Sequence, residues 1–201
     1  TVSDWLRDRA LCSPFFEDKR VVTVMNGLDT VSFRFAPDKA QALKERLNIG
    51  DKKVVLHVTP NFLAPIKGGQ FVREAARLMS DEPVAFIILG YAGDDELPKN
   101  VISIPHTNDK NELAAYYSMA DVTLLTSKKE TFSMICAESL CCGTPIVGFF
   151  AGAPETIAIH RYSTFVEQGN TQLLVAALKD SLQMQPDKAA IAREAYEKYD
   201  S

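Results

Sequence analysis

The chain has 201 residues, 46% of them apolar and 24% charged, enough to bury one substantial core or two small ones at roughly 100–200 residues per domain. No segment approaches the ~20 uninterrupted apolar residues of a membrane-spanning helix, and no Pro/Gly/Ser tract has the composition of disorder, so membrane-spanning, fibrous and disordered classes are excluded. A formal net charge of -4, with Lys and Arg scattered along the chain, gives no electrostatic footprint for DNA or RNA.

Residues 1–16 (TVSDWLRDRALCSPFF) lack the positive start and apolar centre of a secretion signal. They begin without Met and in mid-pattern, which is expected of a piece of a longer protein. Residues 21–25 (VVTVM) are a β-branched run closed by the turn signal Asn26-Gly27. Pro37-Asp38 then opens a helical pattern with Ala42, Leu43 and Leu47 on one face, stopped by Gly50. From there a regular alternation begins. Runs at 53–58, 84–89, 101–104, 121–126 and 145–149 are apolar throughout, as buried parallel strands are. Helical patterns at 69–80, 110–119, 132–142 and 170–184 separate or follow them, which predicts an α/β fold with a Rossmann-like doubly wound parallel sheet.

In such a sheet ligands bind beyond the carboxyl ends of the strands. The loops there are 59–69 (TPNFLAPIKGG), 90–96 (GYAGDDE), 105–112 (PHTNDKNE) and 127–133 (SKKETFS). None carries G-x-G-x-x-G or a Walker A sequence, which disfavours the common nicotinamide and ATP sites. Cys12, Cys136, Cys141 and Cys142 include no C-x-x-C pair, and three of them lie in an apolar run, so reduced thiols in a cytoplasmic protein are expected, with no metal site.

Lys67-Gly68-Gly69 stands where a loop turns into a helix. A cationic side chain, free backbone N–H groups and the positive helix end would make an anion site there; the plainer alternative is a glycine turn beside a solvated lysine. Glu130 lies just before a helix and Glu138 eight residues on, within it. At ~1.5 Å rise per residue their carboxylates are up to ~12 Å apart, too far to share one glycosidic bond but suited to hydroxyls at opposite ends of an elongated ligand. Glu138 stands among Ile135, Cys136, Ala137, Leu140 and Cys141, where an ionised carboxylate needs good partners. Between the two, the N–H groups of Thr131, Phe132 and Ser133 could receive a phosphate. The alternative is a solvated Glu130 and a Glu138 that caps or pairs with a lysine.

The order of these features resembles the nucleotide-binding half of GT-B retaining glycosyltransferases (glycosyl transferases group 1, or family 4-like). Glu130-x7-Glu138 is followed by Gly143-Thr144-Pro145 and by Phe149 to Glu155 with Gly152. Asn26-Gly27-Leu28-Asp29 with Phe33, Lys67-Gly68-Gly69, the run ending at Gly90, Glu112-Leu113 with Tyr117-Ser118 and Ala120-Asp121, and Ser127 with Glu130-Thr131-Phe132 match in the same order. The resemblance extends from about residue 3 to residue 184.

It implies one lobe of a GT-B fold. Residues 1–20 would be the tail of an N-terminal acceptor domain, 21–185 the nucleotide-sugar-binding domain, and 186–201 the start of a crossover helix. It further implies that Glu130 accepts from donor-sugar hydroxyls, that Glu138 holds the ribose, and that Lys67 neutralises the diphosphate with the N–H groups of Phe132 and Ser133. The His106-Thr107-Asn108 loop would lie near the base through its backbone. The donor would be a nucleotide-diphosphate sugar carrying a hexose, and neither a metal nor another cofactor is expected. The chain departs from the family in one respect: residues 60–66 contain no arginine to clamp the diphosphate beside Lys67. Lys128 and Lys129 are candidate substitutes or solvated charges. The alternatives to a transferase are a non-catalytic nucleotide-sugar-binding module and a nucleotide-sugar epimerase of the same fold.

Overall fold

The computed structural model describes residues 1–93 and 96–200. Residues 94 and 95 of the loop 90–96, and the terminal Ser201, lie outside the described residues. Six strands form one parallel sheet: β1 (Lys53–Val58), β2 (Val84–Leu89), β3 (Val101–Ile104), β4 (Val122–Leu125), β5 (Ile146–Phe149) and β6 (Ser163–Val166), in the order β3-β2-β1-β4-β5-β6. The chain begins with helix α1 (Asp4–Leu11) and, before the sheet, α2 (Pro37–Arg46). Then come α3 (Gly69–Leu78), α4 (Lys110–Met119), α5 (Met134–Cys141), the single turn α6 (Pro154–Ile157), α7 (Thr171–Gln183) and α8 (Lys188–Tyr199).

The apolar runs became strands because both faces of the sheet are covered. Val54 and Leu56 pack with α2, α4, α5 and α8 on one side, while Val55 and Phe86 pack with α3 and α7 on the other. All six residues of β2 are buried, as a run with no polar alternation requires. Cys136, Cys141 and Cys142 lie in the first of these cores as reduced, buried thiols whose ionisation burial opposes. The Gly143-Thr144 turn seals the end of α5: Thr144 Oγ1 donates to the Tyr117 and Ala120 carbonyls, and Lys188 Nζ donates to the Ser118 and Ala120 carbonyls from the first turn of α8.

Three expectations are corrected. Residues 21–25 form no strand; among the described residues Val22 and Val24 bond only to Thr1, which is too little pairing for a ladder. Asn26-Gly27 is not the turn; the chain reverses at residues 30–32, where Asp29 accepts from the Ser32 N–H and hydroxyl. Strand β6 and turn α6 have no counterpart in the predicted elements. Among the described residues no helix is long and apolar enough to cross a membrane.

Candidate functional site

The strand order reverses between β1 and β4, and an open α/β sheet leaves its ligand crevice beyond the carboxyl ends of that pair. The two loops that leave those ends are 59–68 and 126–133, and they are locked together. Thr126 Oγ1 donates to the Lys67 carbonyl at 2.9 Å, and the Lys128 N–H to the Ile66 carbonyl at 2.8 Å. Gly68 permits this approach: its φ is +70°, and a Cβ there would lie 2.2 Å from the Thr126 carbonyl oxygen. Gly69 is pressed as closely on the Phe62 carbonyl, again 2.2 Å from where its Cβ would be. The Gly-Gly pair is thus more than a turn; it sets Lys67 against the loop from the next strand.

There Lys67 Nζ meets Glu130 Oε1 at 2.8 Å, with the side chains 27% and 18% exposed. Glu130 is therefore not solvated. Its backbone bridges to the loop after β5, with its N–H on the Ala151 carbonyl and its carbonyl accepting from the Ala153 N–H. Next to it the chain enters α5 through Ser133, whose φ of 76° is left-handed, a strained conformation for a residue with a Cβ. The Ser133 hydroxyl is buried with no nitrogen or oxygen partner, and its neighbour is the weakly bonding thiol of Cys136. Phe132 is buried in the core, whereas the exposed Thr131 uses its carbonyl to accept from Ser3 Oγ at 2.6 Å.

Glu138 finds a partner that neither alternative foresaw. Tyr117 Oη donates to Glu138 Oε2 at 2.9 Å. Burial raises the carboxyl pKa above its usual value, opposed by this bond, and raises the Tyr117 pKa well above its usual value, which keeps the phenol a donor. No lysine pairs with Glu138 among the described residues. His106 and Thr107 stand after β3, two strands from the β1/β4 junction. His106 Nε2 contacts Asn108 Oδ1, and Thr107 Oγ1 donates to Glu112 at the start of α4. The fold thus brings Lys67, Gly68, Gly69, Glu130 and Ser133 together, sets Glu138 behind them on α5, and leaves His106 and Thr107 on a flank.

Sequence reasoning missed α1 as a wall of this region. Ser3 caps α1 and reaches the Thr131 carbonyl, and the Trp5 ring lies on Gly152, where a Cβ would come within 2.7 Å of it. The lone tryptophan was the available signal. Among the described residues no cluster of three or more His, Cys, Asp or Glu could hold a metal ion.

A parallel sheet of this order with charged loops meeting at its switch point defines a Rossmann-like α/β architecture of the kind found in GT-B glycosyltransferases. The glycosyl transferases group 1 family matches residues 39–198, and the chain belongs to it. It is 26% identical over 220 residues to a GDP-mannose-dependent alpha-(1-6)-phosphatidylinositol monomannoside mannosyltransferase of Mycolicibacterium smegmatis, covering 94% of this chain and 53% of that protein. Among solved structures it superimposes on sucrose-phosphate synthase of Thermosynechococcus elongatus with a TM-score of 0.81 at 20% identity, over 100% of this chain and 52% of the other. On Anabaena HepE, solved in complex with UDP and glucose, the TM-score is 0.74 at 20% identity, over 89% and 52%. The chain spans about half the length of the curated relatives it matches, 42% to 53% in the first three.

Proposed function

We propose that this chain is the donor-binding domain of a retaining glycosyltransferase, which moves a hexose from a nucleotide-diphosphate sugar to an acceptor in concert with an N-terminal acceptor-binding domain. The observation that carries this is the Lys67–Glu130 contact at 2.8 Å, at the β1/β4 switch point and beside the entry to α5. A diphosphate lying there takes Lys67 from Glu130, with the α5 N–H groups and the buried Ser133 hydroxyl as its other donors. Glu130, released, accepts from sugar hydroxyls, and Glu138, oriented by Tyr117, accepts from the ribose. Negative charge that builds on the leaving nucleotide falls on Lys67 and the helix end, so no metal is required. The HepE complex, a fold relative solved with UDP and glucose, supports a nucleotide and a sugar as the ligand class.

Calorimetry with a nucleoside diphosphate and its nucleotide sugar tests the division of labour. Glu138→Ala should weaken both ligands about tenfold to a hundredfold, as expected for a hydrogen bond to a charged group. Glu130→Ala should spare the bare nucleotide, since it frees Lys67, and remove the added affinity of the sugar. Equal losses of bare nucleotide in both variants would overturn the assignment, and a chelator that abolished binding would overturn the metal-free phosphate site. A non-catalytic binding module remains the competing reading because Phe62, buried at 2% exposure, occupies the 60–66 loop that contains no guanidinium. Sugar turnover by the longer protein decides between the two.

A further inference from the structure

Glu155, on the single turn α6, directs its carboxylate onto the backbone of the loop before it. Oε1 accepts from the N–H groups of Ala151 and Gly152, and Oε2 accepts from the Gly152 N–H at 3.0 Å. Two successive N–H groups meet one carboxylate here, at a Gly152 whose φ of +113° is a conformation that L side chains rarely adopt. Among the described residues no ammonium or guanidinium forms an ion pair with Glu155. Hydrogen bonds from backbone N–H to a carboxylate are about twice as strong as neutral ones, so the clamp is firm.

The clamped stretch is the one that holds Glu130. Glu130 donates its N–H to the Ala151 carbonyl at 2.9 Å and accepts from the Ala153 N–H at 3.1 Å, a bridge centred on Gly152. The rest of the 126–133 loop is tied elsewhere, Thr126 and Lys128 to the 59–68 loop and Thr131 to Ser3. Among the described residues the Glu130 carboxylate has one partner, Lys67. A diphosphate that takes Lys67 leaves Glu130 aimed by its backbone alone, and therefore by the 151–153 stretch that Glu155 fixes. We propose that Glu155 is a positioning residue for the donor sugar, keeping Glu130 aimed at the sugar hydroxyls after Lys67 has turned to the diphosphate. The role in sugar binding rests on the donor reading above; the clamp on the loop does not.

Calorimetry with UDP and UDP-glucose, or with GDP and GDP-mannose, reads the added affinity of the sugar as a ratio of two dissociation constants. Glu155→Ala should cut that ratio about tenfold while the bare nucleotide changes by less than about twofold. Glu155→Gln keeps the shape and one acceptor oxygen but sets an amide N–H against a backbone N–H, so its ratio should fall between parent and alanine variant; should the alanine variant not fold, this one carries the test. Added to Glu130→Ala, Glu155→Ala should cost no further affinity, because both act through one carboxylate. An unchanged ratio, equal losses of nucleotide and nucleotide sugar, or additive losses in the double variant would each overturn the proposal. Trp5, the sole tryptophan, lies on Gly152 and reports on the clamp without any ligand. Acrylamide quenching of its fluorescence should rise in Glu155→Ala. If no nucleotide sugar binds the parent, the donor reading falls while a rise in quenching still establishes the clamp; unchanged quenching overturns the clamp itself.

Discussion

The two ends of the sheet each hold a lysine against an acid, and they hold them differently. At the amino end, Asp121 is bound on both oxygens, by Lys53 Nζ at 3.0 Å and by the Val54 N–H at 2.8 Å, while its own N–H bonds back to the Val54 carbonyl. At the carboxyl end, Glu130 is fixed through its backbone to Ala151 and Ala153, but its carboxylate has one partner among the described residues, Lys67. The first pair splices two strands. The second is a held backbone with releasable side chains, which is what a binding site needs: the positions are set before the ligand arrives and only one ion pair is exchanged. Lys67 and Glu130 are less exposed than Lys53 and Asp121, so the two pairs differ in how many partners hold the carboxylate and not in exposure.

The difference is broken most strongly by Asp121→Ala, which leaves the Val54 N–H and the Lys53 ammonium unpaired. It should cost about 2 kcal/mol, a fall in Tm of roughly 4–8 °C for a chain of this size, read by calorimetric melting. Glu130→Ala, by contrast, should stay within about 0.5 kcal/mol of the parent. If the two variants melt alike, the distinction between splice and site is wrong.

Glu138 supplies a smaller effect with a defined pH sense. Its pKa in the fold is raised above the usual 4.5 by burial, so the unfolded chain ionises first as pH rises. Its contribution to stability is present below that usual value and is lost as pH rises through the raised one. Glu138→Gln should therefore melt higher than the parent at neutral pH, with the gap closing towards pH 4.5, while it binds nucleotide more weakly. A gap that widens in acid would mean the carboxylate is stabilised as an anion.

The smallest expected effect is at Ser133. Glycine adopts its φ of 76° without strain, so Ser133→Gly should stabilise the chain by about 0.5–1 kcal/mol in thermal melts. Loss of the hydroxyl should at the same time lower affinity for a nucleoside diphosphate. Gains in both would show that the hydroxyl has no ligand role.

Strands β1, β2, β4 and β5 were legible because each is a largely apolar run buried in the sheet, the partly buried edge strand β3 because Val101–Ile104 is still a mainly apolar run, and α4, which Asp109 caps, was read to its ends. Strand β6, like β3 a four-residue partly buried edge strand, was not, since Ser163-Thr164 breaks its apolar run and a 3-10 turn at His160–Tyr162 leads straight into it. The run 21–25 misled in the opposite direction: β-branched residues satisfy a strand pattern, but no ladder reaches them. Of the site, Lys67, Glu130 and Glu138 were visible through motif order. The contacts of Tyr117 with Glu138 and of Ser3 with Thr131 were not, because they join residues 21 and 128 apart, separations at which no local periodicity operates.

The glycine pair at 68 and 69 has a consequence for altering this molecule. Each abuts a carbonyl oxygen at 2.2 Å from its missing Cβ, so neither position accepts a side chain without shifting β4 or the loop itself. Residues 60–66 carry no such constraint from glycine, and Leu63 and Ile66 are already exposed. The backbone of this loop is fixed by the buried Phe62 and by the Lys128 N–H on the Ile66 carbonyl, so only its outward side chains are replaceable, and a guanidinium introduced at position 63 or 66 would stand on a backbone that the two glycines keep in place.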